Sequence, residues 1–404
     1  MIENIKIKQF KSIVDISLDL GQINIIIGAN GCGKTNILEA ISLASAAAQN
    51  KLDNEFLNNR GIRITRPEFM TSAFPEIKEN INNEIEKSIS LEVSQKNKLK
   101  SISEIIYDVK NDRWIDMGSV ISDFQVNSIL KSIIEKEADQ KAIMKLDNFS
   151  DFLDLKTWIN NDDISLIKGK IPKSYEVINN YFIKKPALFS FLTYSPEESV
   201  LRNSGYQPQI SPLGIRGEGL FQHLKDIANK DEGNSIISEI NNGLRLLDWF
   251  EEFKVPDELL KNEYQLEIVD KFLNNSLHYF DQRSTNEGFL YLLFYLTLFN
   301  SKSTPDFFAI DNIEKSFNPK LCTKLINHLF EIAKKNDKQV ILTTHNPYVL
   351  DGLNLSDSNQ RLFVARRDID GHTQIDRISN KEGRTLKLSE IWMKGFIGGL
   401  PDNF

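Results

Sequence analysis

The chain has 404 residues, 41% of them hydrophobic and 26% charged, which is enough apolar content to bury a large core. A net charge of -7 excludes a surface that is basic all round, so any nucleic-acid contact needs a local patch or a partner. Cys32 and Cys322 lack pairing or metal-ligand spacing, the five histidines form no zinc-type cluster, and the opening MIENIKIKQF lacks the apolar core of a signal peptide; a soluble protein of the reducing cytoplasm, with no membrane partner, is expected.

In chain order, Ile5 and Ile7 alternate with Lys6 and Lys8, and Val14, Ile16, Leu18 and Leu20 alternate with Asp15, Ser17 and Asp19. Both stretches predict half-buried strands. The run Ile23 to Ile27, broken only by Asn24, predicts a third strand, and after a Gly-rich turn a helical pattern passes through Ile37, Leu38, Ile41 and Leu43. From about residue 76 the texture changes to Lys, Glu, Asn and Ile, with strand-like pieces at 88–93 and 104–109 and helical patterns to about residue 180. The Gly-rich segment SPLGIRGEGL (211–220) leads into a helix, and 277–299 is a loop opening onto an apolar helix whose run FLYLLFYLTLF is too short to span a bilayer. FFAID (307–311), a helix from about Pro319 to Lys335 and the strand QVILTTH (339–345) predict a right-handed parallel crossover. No tandem repeat and no coiled-coil heptad run is present.

Gly28-Ala29-Asn30-Gly31-Cys32-Gly33-Lys34-Thr35 fits the phosphate-loop pattern G-x-x-x-x-G-K-[ST] at every required position, between a buried strand and a helix. The glycines permit positive φ and close backbone approach, so the amides and the helix N-terminus can surround phosphates. Lys34 then reaches the β/γ oxygens and Thr35 ligates Mg²⁺, so the cofactors are ATP and Mg²⁺. Asn30, Gly31, Cys32, Gly33, Lys34, Thr35 and Asn36 are the binding candidates. Two readings of Cys32 are open, a redox switch or a small residue filling the turn.

Asp311 ends an apolar run, which predicts a carboxylate at the C-terminal edge of a parallel sheet, where it can join Thr35 around the metal. His345 ends the next strand and is expected on the same edge, as a γ-phosphate contact or as an ordinary surface residue. The opening IKIKQFKSIVDISLDLGQINIIIGANGCGKTNILEAI, the block FFAIDNIEKSFNPKLC and the strand ILTTHNPYVLDGL together resemble ABC-type ATPase heads of the recombination-repair, SMC and OLD class, and more closely the bacterial AAA family ATPases encoded beside anti-phage effectors. The resemblance implies an α/β P-loop NTPase of the ABC-ATPase-head type, with a mixed sheet core and an inserted α+β lobe. The expected division is 1–75 and 191–404 for the core and 76–190 for the lobe.

The resemblance further implies that two heads sandwich ATP, as a homodimer or higher oligomer, each supplying a signature loop to the other's nucleotide. The candidate loop is Ser284-Thr285-Asn286-Glu287-Gly288, with Ser284, Thr285 and Gly288 as contacts, although the family's usual order is not reproduced and an ordinary helix cap is the competing reading. Asn318 and Pro319 fall where the family contacts the opposite subunit, and a helix start explains them equally well.

The residue after Asp311 is Asn312, whose amide cannot take a proton and so cannot act as the general base. Glu314 would point to the same side as Asn312 on an extended chain, and two readings stand level: it replaces the missing base, or it is a solvated loop acid. Lys34, Asp311, Glu314, Asn312 and His345 are the catalytic candidates. The ending WMKGFIGGLPDNF docks on its own core or on another subunit. The expected function is a slowly hydrolysing defence ATPase that controls a separate effector, a nuclease, from a neighbouring gene. The alternative is a DNA-repair or recombination ATPase that clamps DNA.

Overall fold

The computed structural model describes residues 1–74, 88–96, 100–117, 187–203, 205–206, 208–230, 232–256, 265–274, 277–380 and 385–400. By contacts the chain divides into one compact unit of 1–116 with 187–404 and a second of 117–186. Every element below belongs to the first, and the helical patterns expected before residue 180 lie outside the described residues.

The two predicted strands, β1 (Ile2–Phe10) and β2 (Ile13–Asp19), pair as an antiparallel hairpin, with Ile7 opposite Ile16 and Ile5 opposite Leu18. Their alternate apolar residues are buried, as half-buried strands require. The chain continues through β3 (Ile23–Ile27), α1 (Lys34–Ala47), α2 (Asn54–Asn59) and α3 (Pro67–Met70) to β4 (Ile89–Gln95), β5 (Lys100–Asp108) and β6 (Arg113–Asp116). The last three extend the hairpin into an antiparallel sheet of order β2-β1-β4-β5-β6. Thus the strands expected in a lobe beginning at 76 are part of the core unit, because Ile89, Leu91 and Val93 bury the same face as Ile5 and Ile7.

β7 (Thr193–Tyr194) is followed by α4 (Glu198–Arg202), α5 (Leu220–Ala228), α6 (Gly233–Leu244) and a two-stranded ribbon of β8 (Phe250–Lys254) and β9 (Glu267–Asp270). Next come α7 (Glu287–Asn300), β10 (Phe307–Ile310), α8 (Pro319–Lys335), β11 (Gln339–Thr343), α9 (Pro347–Leu350), β12 (Gln360–Arg367), β13 (Thr373–Ile378) and α10 (Leu388–Met393). The second sheet runs β13-β12-β3-β11-β10-β7, parallel throughout except where β13 returns along β12.

This sheet is covered on both faces, which explains why its strands read as continuous apolar runs. Ile25, Ile27, Phe308, Ile310, Val340 and Leu342 face the cluster built by α7 and α8; Ile26, Phe307, Ala309 and Ile341 face α1 and the first sheet. Asn24 sits inside the run without penalty because its amide bonds Gly21 N at 2.8 Å, Gly21 O at 3.0 Å and Val340 O at 3.1 Å. The run at 289–299 is a core helix, buried on every side, and among the described residues no helix is long and apolar enough to cross a membrane. α10 and the described residues after it dock on the chain's own core: Trp392 is 3% exposed, and Ile397 and Leu400 pack against the same cluster.

Candidate functional site

β3 delivers the chain to the phosphate loop with its edge already fixed by pairing to β11 and β12. Gly28 has φ 150° and Gly33 φ 107°, and a Cβ at either would collide, with Ala365 O and with Thr373 Oγ1 respectively. Only glycine meets both demands. The N-terminus of α1 carries no side-chain cap and no acidic residue in its first turn, so its free N–H groups and partial positive charge are available to an anion.

Lys34 is buried and its Nζ donates to Gly28 O at 2.8 Å and Ala29 O at 3.0 Å, with Cys32 Sγ at 3.9 Å. Burial lowers its pKa, against the opposing pull of Cys32, Asp311 and Glu314. Thr35 follows on the first turn, half-buried, while Asn30 and Gly31 form the exposed crest of the loop and Cys32 is buried in it. Asn36 is a brace: its Nδ2 donates to Ser12 Oγ at 2.7 Å and its Oδ1 accepts from Arg63 Nη2 at 3.0 Å. Ser12 Oγ is 2.7 Å from Thr373 Oγ1, which donates to Cys32 O at 3.0 Å, and Arg367 Nε donates to Gly31 O at 3.0 Å. The loop is therefore held from outside by the first hairpin and by β12 and β13.

The parallel register places Ile310 beside Leu342 and Thr343 beside Ile26, so Asp311, Thr343 and Gly28 emerge on one edge. Thr343 Oγ1 donates to Asp311 Oδ1 at 2.5 Å and accepts from Asn312 N at 2.9 Å. Asn312 has φ 58°, so the chain leaves the strand there, and the extended path assumed for Glu314 does not occur. Instead a turn carries Glu314 under the next strand end, where its Oε1 accepts from His345 N at 2.8 Å and its Oε2 is buried without a partner among the described residues. His345 has its pKa lowered, first by burial and then by Lys34, while Glu314 and Asp311 oppose the shift. Lys34, Asp311, Glu314 and His345 thus share one electrostatic neighbourhood.

The signature candidate is elsewhere. Asn286 caps α7, its Oδ1 accepting from Phe289 N at 2.9 Å, and Ser284 is exposed with its hydroxyl directed to Asp281 Oδ1 at 3.4 Å. Thr285 is buried with Oγ1 unpartnered among the described residues, and Glu287 accepts from Ser316 Oγ at 2.7 Å. No described bond joins Ser284, Thr285 or Gly288 to the Lys34 cluster; Gly288, with Asn286 and Glu287, borders a cleft of about 600 Å³ that Trp249, Asn318 and Lys320 also line. Asn318 caps α8 through Leu321 N at 2.9 Å, with Pro319 in the first turn. A further metal-capable group, Asp368, Asp370 and His372, lies in the β12–β13 turn, where Asp368 Oδ1 already accepts from the backbone of Asp370 and His372.

Sequence reasoning missed Thr343, Ser12, Thr373 and Ser195, whose hydroxyl accepts from Lys315 Nζ at 3.1 Å beside the acid turn. The repeated threonines of TTH were a visible signal; the others depend on pairings remote in sequence.

A family model described as AAA domain, putative AbiEii toxin, Type IV TA system, matches residues 23–351. The chain belongs to this AAA-domain family. The matched span runs from β3 to the end of α9 and contains Lys34, Asp311, Glu314 and His345, and the mixed sheet with its phosphate loop is a P-loop α/β fold. The AAA domain is similar to an OLD nuclease of Thermus scotoductus, 36% identical over 73 residues, which cover 16% of this chain and 14% of that protein. It is also similar to the uncharacterized protein MJECL10 of Methanocaldococcus jannaschii, 50% identical over 50 residues, covering 12% of this chain and 23% of the relative. The chain thus spans less than a quarter of the length of these curated relatives. Among solved structures, an Smc head bound to the C-winged helix domain of ScpA aligns over 95% of this chain and 100% of its own, with a TM-score of 0.48 and 14% identity.

Proposed function

We propose that the AAA domain binds ATP with magnesium and hydrolyses it slowly, with Glu314 acting in place of the acid missing after Asp311. One observation carries this reading: Glu314 keeps one carboxylate oxygen on His345 N while the other is buried and unpartnered, within electrostatic range of Lys34. A buried carboxylate oxygen without a donor is unfavourable, so a water or substrate proton there is the natural partner.

The glycine cradle, the uncapped helix start and the convergence of Lys34 and Asp311 fit a triphosphate and its cation. Thr35 and Asp311 would hold magnesium, which when bound supplies neutralisation of phosphate charge. Lys34 would exchange Gly28 O and Ala29 O for phosphate oxygens. Thr343 orients Asp311, and the backbone of His345 orients Glu314 so that Oε2 can accept a proton from water. Asn312 can orient that water but cannot deprotonate it. Replacing Glu314 by Gln is expected to lower turnover by roughly 10²-fold or more while ATP still binds, and Asn312→Glu to raise it. Wild-type turnover that Glu314→Gln leaves untouched would sink this assignment.

On this reading ATP-bound dimers or higher oligomers control a separate effector in anti-phage defence, supported by the family description, which names a toxin of a toxin-antitoxin system. A nuclease or other toxic enzyme in the adjacent open reading frame would agree; a repair operon there would reverse it. The short match to an OLD nuclease favours the second reading, a DNA-clamping repair ATPase, which requires salt-dependent DNA binding by the isolated protein.

A further inference from the structure

Beyond α10 the chain turns back through Gly395, Gly398 and Gly399, all at positive φ, and brings Gly399 against the phosphate loop. A Cβ on Gly399 would stand 3.2 Å from Gly28 Cα, 2.8 Å from Val364 Cγ1 and 3.7 Å from Trp392 Nε1. Two backbones approach this closely only where a side chain is missing. Trp392 is 3% exposed, and its indole N–H is buried with no acceptor among the described residues. Gly28, on the other side of the contact, has its carbonyl occupied by Lys34 Nζ at 2.8 Å.

These facts describe a corner with one donor too many, which changes when Lys34 turns toward phosphate. Gly28 O then loses its donor, while the indole N–H on the other side of Gly399 still lacks an acceptor among the described residues. Leaving both unpaired is unfavourable, so a small movement that pairs or bridges them is favoured. We infer that Gly399 and Trp392 are positioning residues for the phosphate loop, and that the segment 392–400 shifts when nucleotide fills it. The inference rests on the reading of that loop as an ATP site. Met393 and Phe396, 50% and 70% exposed on the same segment, would carry the shift to the surface.

The test measures tryptophan emission and equilibrium ATP binding, with magnesium, on the full chain as wild type, Gly399→Ala, Trp392→Phe and Phe396→Ala. Saturating ATP is expected to change wild-type emission, and Trp392→Phe to lose that change. ATP affinity should fall roughly three- to tenfold in Gly399→Ala and Trp392→Phe, the worth of one hydrogen bond or a small loop displacement, and remain unaltered in Phe396→Ala. A merely structural role would lower the melting temperature and leave the affinity of the folded protein unchanged. Wild-type affinity in both variants, or an emission change that survives in Trp392→Phe, overturns the inference. Should Gly399→Ala fail to fold, Trp392→Phe decides alone. Failure of the wild type to bind ATP overturns the ATP-site reading itself, and the inference with it.

Discussion

Thr343 shows how much of the site depends on one hydroxyl: it donates to Asp311 and accepts from Asn312 N, fixing both residues at the bend. Thr343→Val keeps the shape but removes both bonds, and should cost about 1 kcal/mol or more in urea unfolding along with weaker magnesium-dependent ATP binding. Thr343→Ser should restore both; a valine variant with unchanged unfolding and binding would contradict the role. Asp311 was legible in the sequence because an apolar run ending in an acid is a local signal. The threonines of TTH were visible as well, but the pairing of Thr343 with Asp311 was not, because it is set by the register between β10 and β11. The path of Glu314 was not legible for a related reason: the left-handed backbone at Asn312 bends the chain out of an extended course there.

At the scale of elements, α8 follows the acid turn and its start fixes where that turn ends. Asn318 Oδ1 caps it through Leu321 N, and basic Lys334 and Lys335 complement its far end. Asn318→Ala should therefore cost about 1 kcal/mol of stability, and Asn318→Ser should recover it. If Asn318→Ser recovers stability but not ATP-dependent association, Asn318 also touches another subunit. The phosphate loop, α1 and the crossover were all legible, since motif, helical period and apolar runs are local. The sheet membership of β4 to β6 was not, because it is decided by β1, far away in the chain.

For the whole molecule, acid stability is set in part by His223, on the buried face of α5 and bonded to Ser301 Oγ at 2.9 Å. Burial lowers its pKa from the ordinary 6.5 to about 4. Between those values the unfolded chain binds the proton and the folded one does not, so stability falls as pH drops from 6.5 towards 4. Urea midpoints at pH 7.5 and 4.5 should show this fall, and His223→Gln should lessen it; an equal fall in the variant would remove His223 as a cause. Association is the other property at this scale. With magnesium-ATP, Glu314→Gln should accumulate a larger species in gel filtration, and adding Ser284→Arg should abolish it if that exposed residue meets a second copy's nucleotide. Elution that ATP never changes would exclude the sandwich.

The most direct measurement is calorimetric titration of ATP, with and without magnesium, into wild type, Lys34→Ala and Asp311→Asn. A single site built by the loop and the acid edge requires wild-type binding strengthened by magnesium, binding lost in Lys34→Ala, and magnesium dependence lost in Asp311→Asn. Equal, magnesium-dependent affinity in all three proteins would contradict it.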